Sequence, residues 1–242
     1  MKYLIHADDF GRSKSINRSI YKLIIKKKIN SVSLIICQSG YKDALGLIKK
    51  IKKKINIRLH LNLTDGVSIK NLKIYNYTFF KLLIMPYIPF YRKNMKIIEE
   101  EIIEQIKIFK KDLKLKYLSI DSHQHIHIIP WIFNIILKNK DKYNLKYVRI
   151  PNENFYYSKL YDFLNIYYLI NILKYFVIKI LLKFLNTKIL YFAYKYKFSG
   201  ILFSGINTIK SVDISIKLAN KKNIKNLEIL FHPGRCTKNE KK

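Results

Sequence analysis

Apolar positions in the first quarter of the chain switch repeatedly between two periods. Tyr3-Leu4-Ile5 is a short apolar run that reads as a buried strand, and Ile16, Ile20, Leu23 and Ile24 then recur at helical spacing. Asn30-Ser31 breaks that helix, residues 32–37 read as a second strand, and residues 43–54 as a second amphipathic helix with a lysine-rich outer face. Across residues 55–63 the apolar side chains alternate strictly, which predicts a third strand with Arg58, His60 and Asn62 sharing its other face. This βαβαβ order predicts an α/β fold with a parallel sheet.

The pattern continues less evenly. Residues 79–85 are apolar until Pro86 and Pro89 interrupt them, as expected of an insertion at a pocket mouth. Residues 95–114 form a clear helix with Ile98, Ile102, Ile106 and Phe109 in one stripe; Glu99, Glu100, Glu101 and Glu104 near its start read as a solvated acidic face. Residues 117–120 read as a strand. Residues 156–197 read as one or two basic, apolar helices, suited to the outer layer of a barrel or to an anionic membrane surface. A helix over 211–220 and a last strand over 227–231 follow. No repeat or linker divides the chain, so one domain over 1–242 is expected.

Two segments carry candidate chemistry. His6-Ala7-Asp8-Asp9-Phe10-Gly11 places adjacent carboxylates where the first strand ends, the edge at which α/β sheets and barrels bind ligands. One carboxylate can bind a metal while the other handles protons; the alternative is a turn that caps the next helix. Asp121-Ser122-His123-Gln124-His125-Ile126-His127 holds half of the six histidines within five residues. If the segment is extended, alternate positions turn His123, His125 and His127 into one pocket. Two histidines and a carboxylate make a metal site with open positions for water and substrate, and a third histidine would orient a ligand or touch substrate. The alternative is an exposed, histidine-rich turn.

Composition changes this picture little. Lys and Arg number 47 against 16 Asp and Glu, a formal charge of +31. The excess is mostly lysine, spread among Ile, Asn and Tyr. Neither zinc-finger spacing nor an aromatic RNA-binding signature is present, so no specific nucleic-acid partner is expected. General attraction to anionic polymers and lipid surfaces is expected. Cys37 and Cys236 make no disulfide framework, and the start of the chain lacks the features of a signal peptide. A cytoplasmic location is therefore expected, with peripheral contact at the inner membrane face as an addition.

Five segments together resemble the YdjC-like carbohydrate deacetylases, which include chitooligosaccharide deacetylases. They are His6 to Gly11 with Ser13 and Asn17; Leu59-His60-Leu61-Asn62-Leu63-Thr64; Asp121 to His127; Val148-Arg149-Ile150-Pro151; and Phe231-His232-Pro233-Gly234. The resemblance implies an irregular, TIM-like (β/α) barrel and one divalent metal ion, magnesium or zinc, on Asp9, His60 and His123. It implies Asp8 as general base, His232 as general acid or oxyanion contact, His125 beside substrate or ligand, and Arg149 holding Asp8 or the substrate. The implied reaction is removal of an acetyl group from an N-acetylated sugar, and a homodimer is compatible with the family. Residues 198–205 also match a family segment near the pocket, whose glycines would let the backbone approach a sugar. Relatives continue through a further C-terminal helix, so the stop eight residues after Gly234 bears on barrel closure. The alternatives are a non-catalytic carbohydrate or anionic-polymer binding module, against which the intact Asp8, Asp9, His60, His123 and His232 argue, and a metal-dependent hydrolase of another bond such as a phosphoester.

Overall fold

The structure, a computed structural model, describes residues 1–52, 55–70, 73, 77–185, 196–237 and 240. Strands β1 (Lys2–Phe10), β2 (Ser31–Leu34), β3 (Asn56–Leu61), β4 (Leu118–Ser122), β5 (Leu145–Val148), β6 (Lys197–Ser199) and β7 (Asn226–Phe231) form one sheet in the order β5-β4-β3-β2-β1-β7-β6. Every pairing is parallel. The connections carry α1 (Lys14–Ile25), α2 (Tyr41–Lys49), α3 (Phe79–Ile84), α4 (Arg92–Asp112), α5 (Pro130–Lys138), α6 (Ile166–Phe184) and α7 (Ile209–Lys221).

Local chemistry sets these elements. Ser13 caps α1 by accepting from the Ile16 amide, and Ile16, Ile20 and Ile24 form its buried stripe. Thr208 and Ser211 form a reciprocal cap on α7, and Pro130 occupies the first turn of α5. β3 ends at Leu61, earlier than its alternation suggests, because Asn62 turns the chain: its Oδ1 accepts from the amides of Thr64 and Asp65. β2 and α2 are likewise shorter than the pattern suggests, residues 53 and 54 lying outside the described residues. The segment read as one or two basic helices contains α6; residues 186–195 are outside the described residues.

The acidic face expected on α4 is not wholly solvated. Glu101 is buried and accepts from Ser68 Oγ (2.6 Å), the amides of Ile69 and Lys70, and Gln105 Nε2. A loop that folds back onto the helix covers this carboxylate, and periodicity within the helix carries no trace of that loop.

The sheet curls into a barrel-like shape. β5 is one edge of the sheet and β7 is next to the other edge, yet Tyr147 Oη donates to Glu228 Oε2 at 2.9 Å. Side chains from distant strands thus meet in an interior, as the barrel expectation requires. The interior is polar: Arg58 is bidentate to Glu228 (2.9 and 2.9 Å), and Arg149 reaches Glu228, Asp8 and Asp121.

Gly11 anchors the turn after β1. Its φ is +92°, its amide donates to Asn17 Oδ1 at 2.7 Å, and an added Cβ would lie 2.2 Å from the Ile35 carbonyl oxygen. Gly11→Ala is therefore expected to cost about 1–3 kcal/mol or more of stability, read as a lowered urea midpoint.

Candidate metal centre and active site

The site stands at the C-terminal ends of β1, β3, β4 and β7, where one cleft of about 540 Å³ is lined by Asp8, Asp9, Arg12, His60, His123, His125 and His232 among others. Adjacent residues in a regular strand face opposite ways. Here the β1–β2 register breaks between Ala7 and Phe10, and Asp9 has a left-handed φ of 68°. This bulge turns both carboxylates toward His60, whose Nε2 lies 3.6 Å from Asp9 Oδ1 and 3.9 Å from Asp8 Oδ2.

The ligand set converges on one oxygen. Asp9 Oδ2 accepts from Arg12 Nη1 at 3.2 Å, while buried Oδ1 has no hydrogen-bond partner among the described residues and faces His60 Nε2 and, at 3.3 Å, His123 Nδ1. His60 Nδ1 lies 2.7 Å from Asp121 Oδ1. An ionised carboxylate only accepts, so Nδ1 carries the proton and the Nε2 lone pair is left for the cleft. The three ligand atoms lie within 4.8 Å of one another. Asp9, His60 and His123 could therefore hold a metal ion.

Charge points the same way. Asp8, Asp9, Asp121 and Glu228 gather in and below the cleft against Arg58 and Arg149, while Arg12 and Asp65 pair with each other. Four carboxylates against two interior guanidinium groups leave a deficit that a divalent cation would offset.

Asp8 is held apart from that cluster. Arg149 Nη1 and Nη2 bind its two oxygens, each at 2.9 Å, and His6 Nε2 is 3.1 Å from Oδ1. Burial alone would raise the Asp8 pKa; Arg149, with His60 and His6, overcomes this and holds it well below the usual range. Burial is likewise outweighed at Asp9 by His123 and His60, and the carboxyl stays ionised. His60 responds oppositely: burial would lower its pKa, but Asp8 and Asp121 raise it. Arg149 is wholly buried, so of its two expected roles the geometry matches the hold on Asp8.

The three histidines of the β4 loop do not share a direction. After Ser122 the chain forms a 3-10 turn in which Gln124 and His125 both have left-handed backbone, so the extended alternation fails. His123 and His125 line the cleft. His127 is buried beneath them, its Nε2 donating to the Arg149 carbonyl at 2.8 Å and its Nδ1 accepting from Ser122 Oγ at 2.5 Å. Burial pushes its pKa down to about 4. His125 keeps a buried Nδ1 without a partner among the described residues, and burial followed by Arg149 holds its ring neutral. His232 follows β7 with Nε2 4.0 Å from Asp8 Oδ2 and stays 36 % exposed at the mouth.

Gly200 also lines the cleft, but its lack of a side chain serves packing: an added Cβ would stand 2.5 Å from Leu230 Cβ. Glu153 holds that loop by accepting from the amides of Gly200, Ile201 and Leu202.

Sequence reasoning gave no role to His6, Arg12, Arg58, Asp121, Glu153 or Glu228. The one signal for Glu228 was a carboxylate inside the apolar run Leu227-Glu228-Ile229-Leu230.

Comparison with known proteins gives three findings. The model of a family described as YdjC-like protein matches residues 2–242. Proteins named carbohydrate deacetylase from Xenopus laevis and Brevibacillus brevis are 29% and 31% identical over 161 and 162 residues, which is 63% and 62% of this chain. Those regions make up 52% and 60% of the relatives, so the chain matches between half and three fifths of their length. A crystal structure from Enterococcus faecalis, of a protein provisionally described as a cellobiose-phosphate cleavage protein, shares the fold with a TM-score of 0.66 at 15% identity, covering 98% of this chain and 82% of that one.

Proposed function

The chain belongs to the YdjC-like protein family, and from that premise we propose that it is a metal-dependent hydrolase that removes the acetyl group of an N-acetylated sugar. The observation that carries this reading is the Asp9–His60–His123 cluster beside a clamped carboxylate, Asp8, that stands outside it. The names of the curated relatives support the acetylated carbohydrate as substrate.

Asp9, His60 and His123 would hold the ion. A bound divalent ion lowers the pKa of water and polarises an acyl oxygen. The chain supplies the rest. Arg12 holds the outer oxygen of Asp9, and Asp121 fixes the His60 tautomer. Asp8 is the general base: Arg149 and His6 fix its carboxylate, and Asp8 lines the cleft. The clamp lowers its basicity, so what Asp8 offers is a fixed direction and a carboxylate that is ionised and ready to take the proton at neutral pH, rather than a high pKa. His232, at the mouth with its Nε2 4.0 Å from Asp8 Oδ2, is the residue that gives a proton to the leaving amine. His125, which lines the cleft beside His123, contacts the sugar.

The test is acetate release from diacetylchitobiose and a panel of N-acetyl sugars, after metal stripping and readdition of zinc, magnesium or manganese. Release that depends on metal is expected. Asp8→Asn is expected to keep the ion and lose about 10²–10⁴-fold in kcat/KM. Full activity in that variant would remove Asp8 from the base role. Bound metal without release from any sugar would point to another bond, and neither metal nor release to a binding module.

A further inference from the structure

A helix packed on the outside of a sheet normally turns polar residues to water. α6 is apolar on both sides. Its buried side carries Tyr168, Asn171, Tyr175, Ile178 and Leu181, while Ile166, Ile170, Leu173, Phe176, Ile180 and Phe184 are exposed, from 43 % at Ile170 to 70 % at Phe184. The spacings of four, three, three, four and four residues put these six on one side of a helix about 28 Å long. Exposed Leu160 and Leu164 extend the surface past the helix start. A contiguous apolar surface of this kind marks an interaction site.

Charge and position identify the partner. α6 contains no Asp or Glu, Lys174 and Lys183 border the stripe, and the whole chain carries +31. A second copy on this face would bring two such chains and their lysines together, whereas an anionic bilayer has the complementary charge. No helix among the described residues is long and apolar enough to cross a membrane, so α6 would lie in the surface plane. Leu173 and Lys174 of α6 also line the catalytic cleft, as does Phe79 from the first turn of α3. Beside Phe79, Phe80 is exposed, and so are Tyr87 and Phe90 just after α3. Two apolar projections therefore bracket one mouth.

We infer that α6 is a docking surface for anionic membranes, its apolar stripe entering the headgroup layer and the cleft opening onto the bilayer surface. The docking is separate from the reaction and is read without it.

The experiment is co-sedimentation of the full chain with vesicles of phosphatidylcholine, with and without one third phosphatidylglycerol, at about 100 mM salt, where screening weakens exposed charge contacts. Wild type is expected to bind the anionic vesicles at least about tenfold more tightly than the neutral ones. Ile170→Glu/Ile180→Glu is expected to lose at least about tenfold of that binding while its circular dichroism stays unchanged. Ile25→Glu, an exposed position on α1, controls for added negative charge and is expected to bind as wild type. Equal binding by wild type and the α6 variant would overturn the inference, as would equal loss in the control. A dimer that the α6 variant dissolves, with no vesicle binding by wild type, would overturn it in favour of a second copy.

Discussion

His60→Ala is expected to abolish stoichiometric divalent-metal binding and to lower acetate release by on the order of 10³-fold or more, because water activation at neutral pH depends on the ion. Both ring nitrogens are committed: Nδ1 to Asp121 at 2.7 Å, and Nε2 toward Asp9 Oδ1 at 3.6 Å. Alanine removes the ligand and also the path by which Asp121 orders it. Metal content by mass spectrometry, read beside kinetics, separates this result from unfolding, which circular dichroism detects independently. A variant that keeps both its ion and its turnover would remove His60 from the ligand set.

Arg149→Ala is expected to cost about 3–5 kcal/mol of stability, the usual penalty for leaving buried charges without their partner. Three carboxylates depend on this guanidinium: Nε is 2.8 Å from Glu228, Nη1 2.9 Å from Asp8 and Nη2 2.9 Å from Asp121. Lysine cannot replace it, since a single ammonium does not point in three fixed directions. The loss carries a pH signature. Burial would raise the Glu228 pKa, but Arg58 and Arg149 lower it to about 2. In wild type that stabilisation is complete above the ordinary glutamate pKa and fades as pH falls toward 2. Without Arg149 the three carboxylates take up protons at higher pH, which relieves their repulsion. The gap in urea midpoint between wild type and variant should therefore narrow from pH 7 to pH 4. A constant gap would mean that the cost is packing, not charge.

The contrast between these two residues explains what the sequence reveals. His60 was legible because strict alternation set it opposite Leu59 and Leu61, and because His123 lay in an unusual histidine cluster. The Asp8-Asp9 pair was legible because it followed the first apolar run. Most of the network below them was not. Arg149 was reached only through the family resemblance; Arg58, Asp121 and Glu228 are scattered over 171 positions, Arg58 and Asp121 looking like the water-facing half of an alternating strand and Glu228 like a single charge in an apolar run. Alternation distinguishes two faces of a sheet; it does not say that curling has taken one of them out of water. His127 was misplaced for a more local reason. The left-handed turns at Gln124 and His125 depend on the packing of the loop, and neither residue type announces them.

The bulge at Asp9 has a consequence for how this site can change over generations. A left-handed backbone is tolerated well by Gly, Asn and Asp and poorly by β-branched side chains. Of these three, only Asp brings a charged ligand oxygen. Val, Ile or Thr at position 9 would meet backbone strain before any question of coordination arose. On the proposed metal reading, Asp9 joins the turn conformation and a charged ligand oxygen in one side chain, so a library meant to retune the centre gains more from positions 60 and 123 than from the ninth.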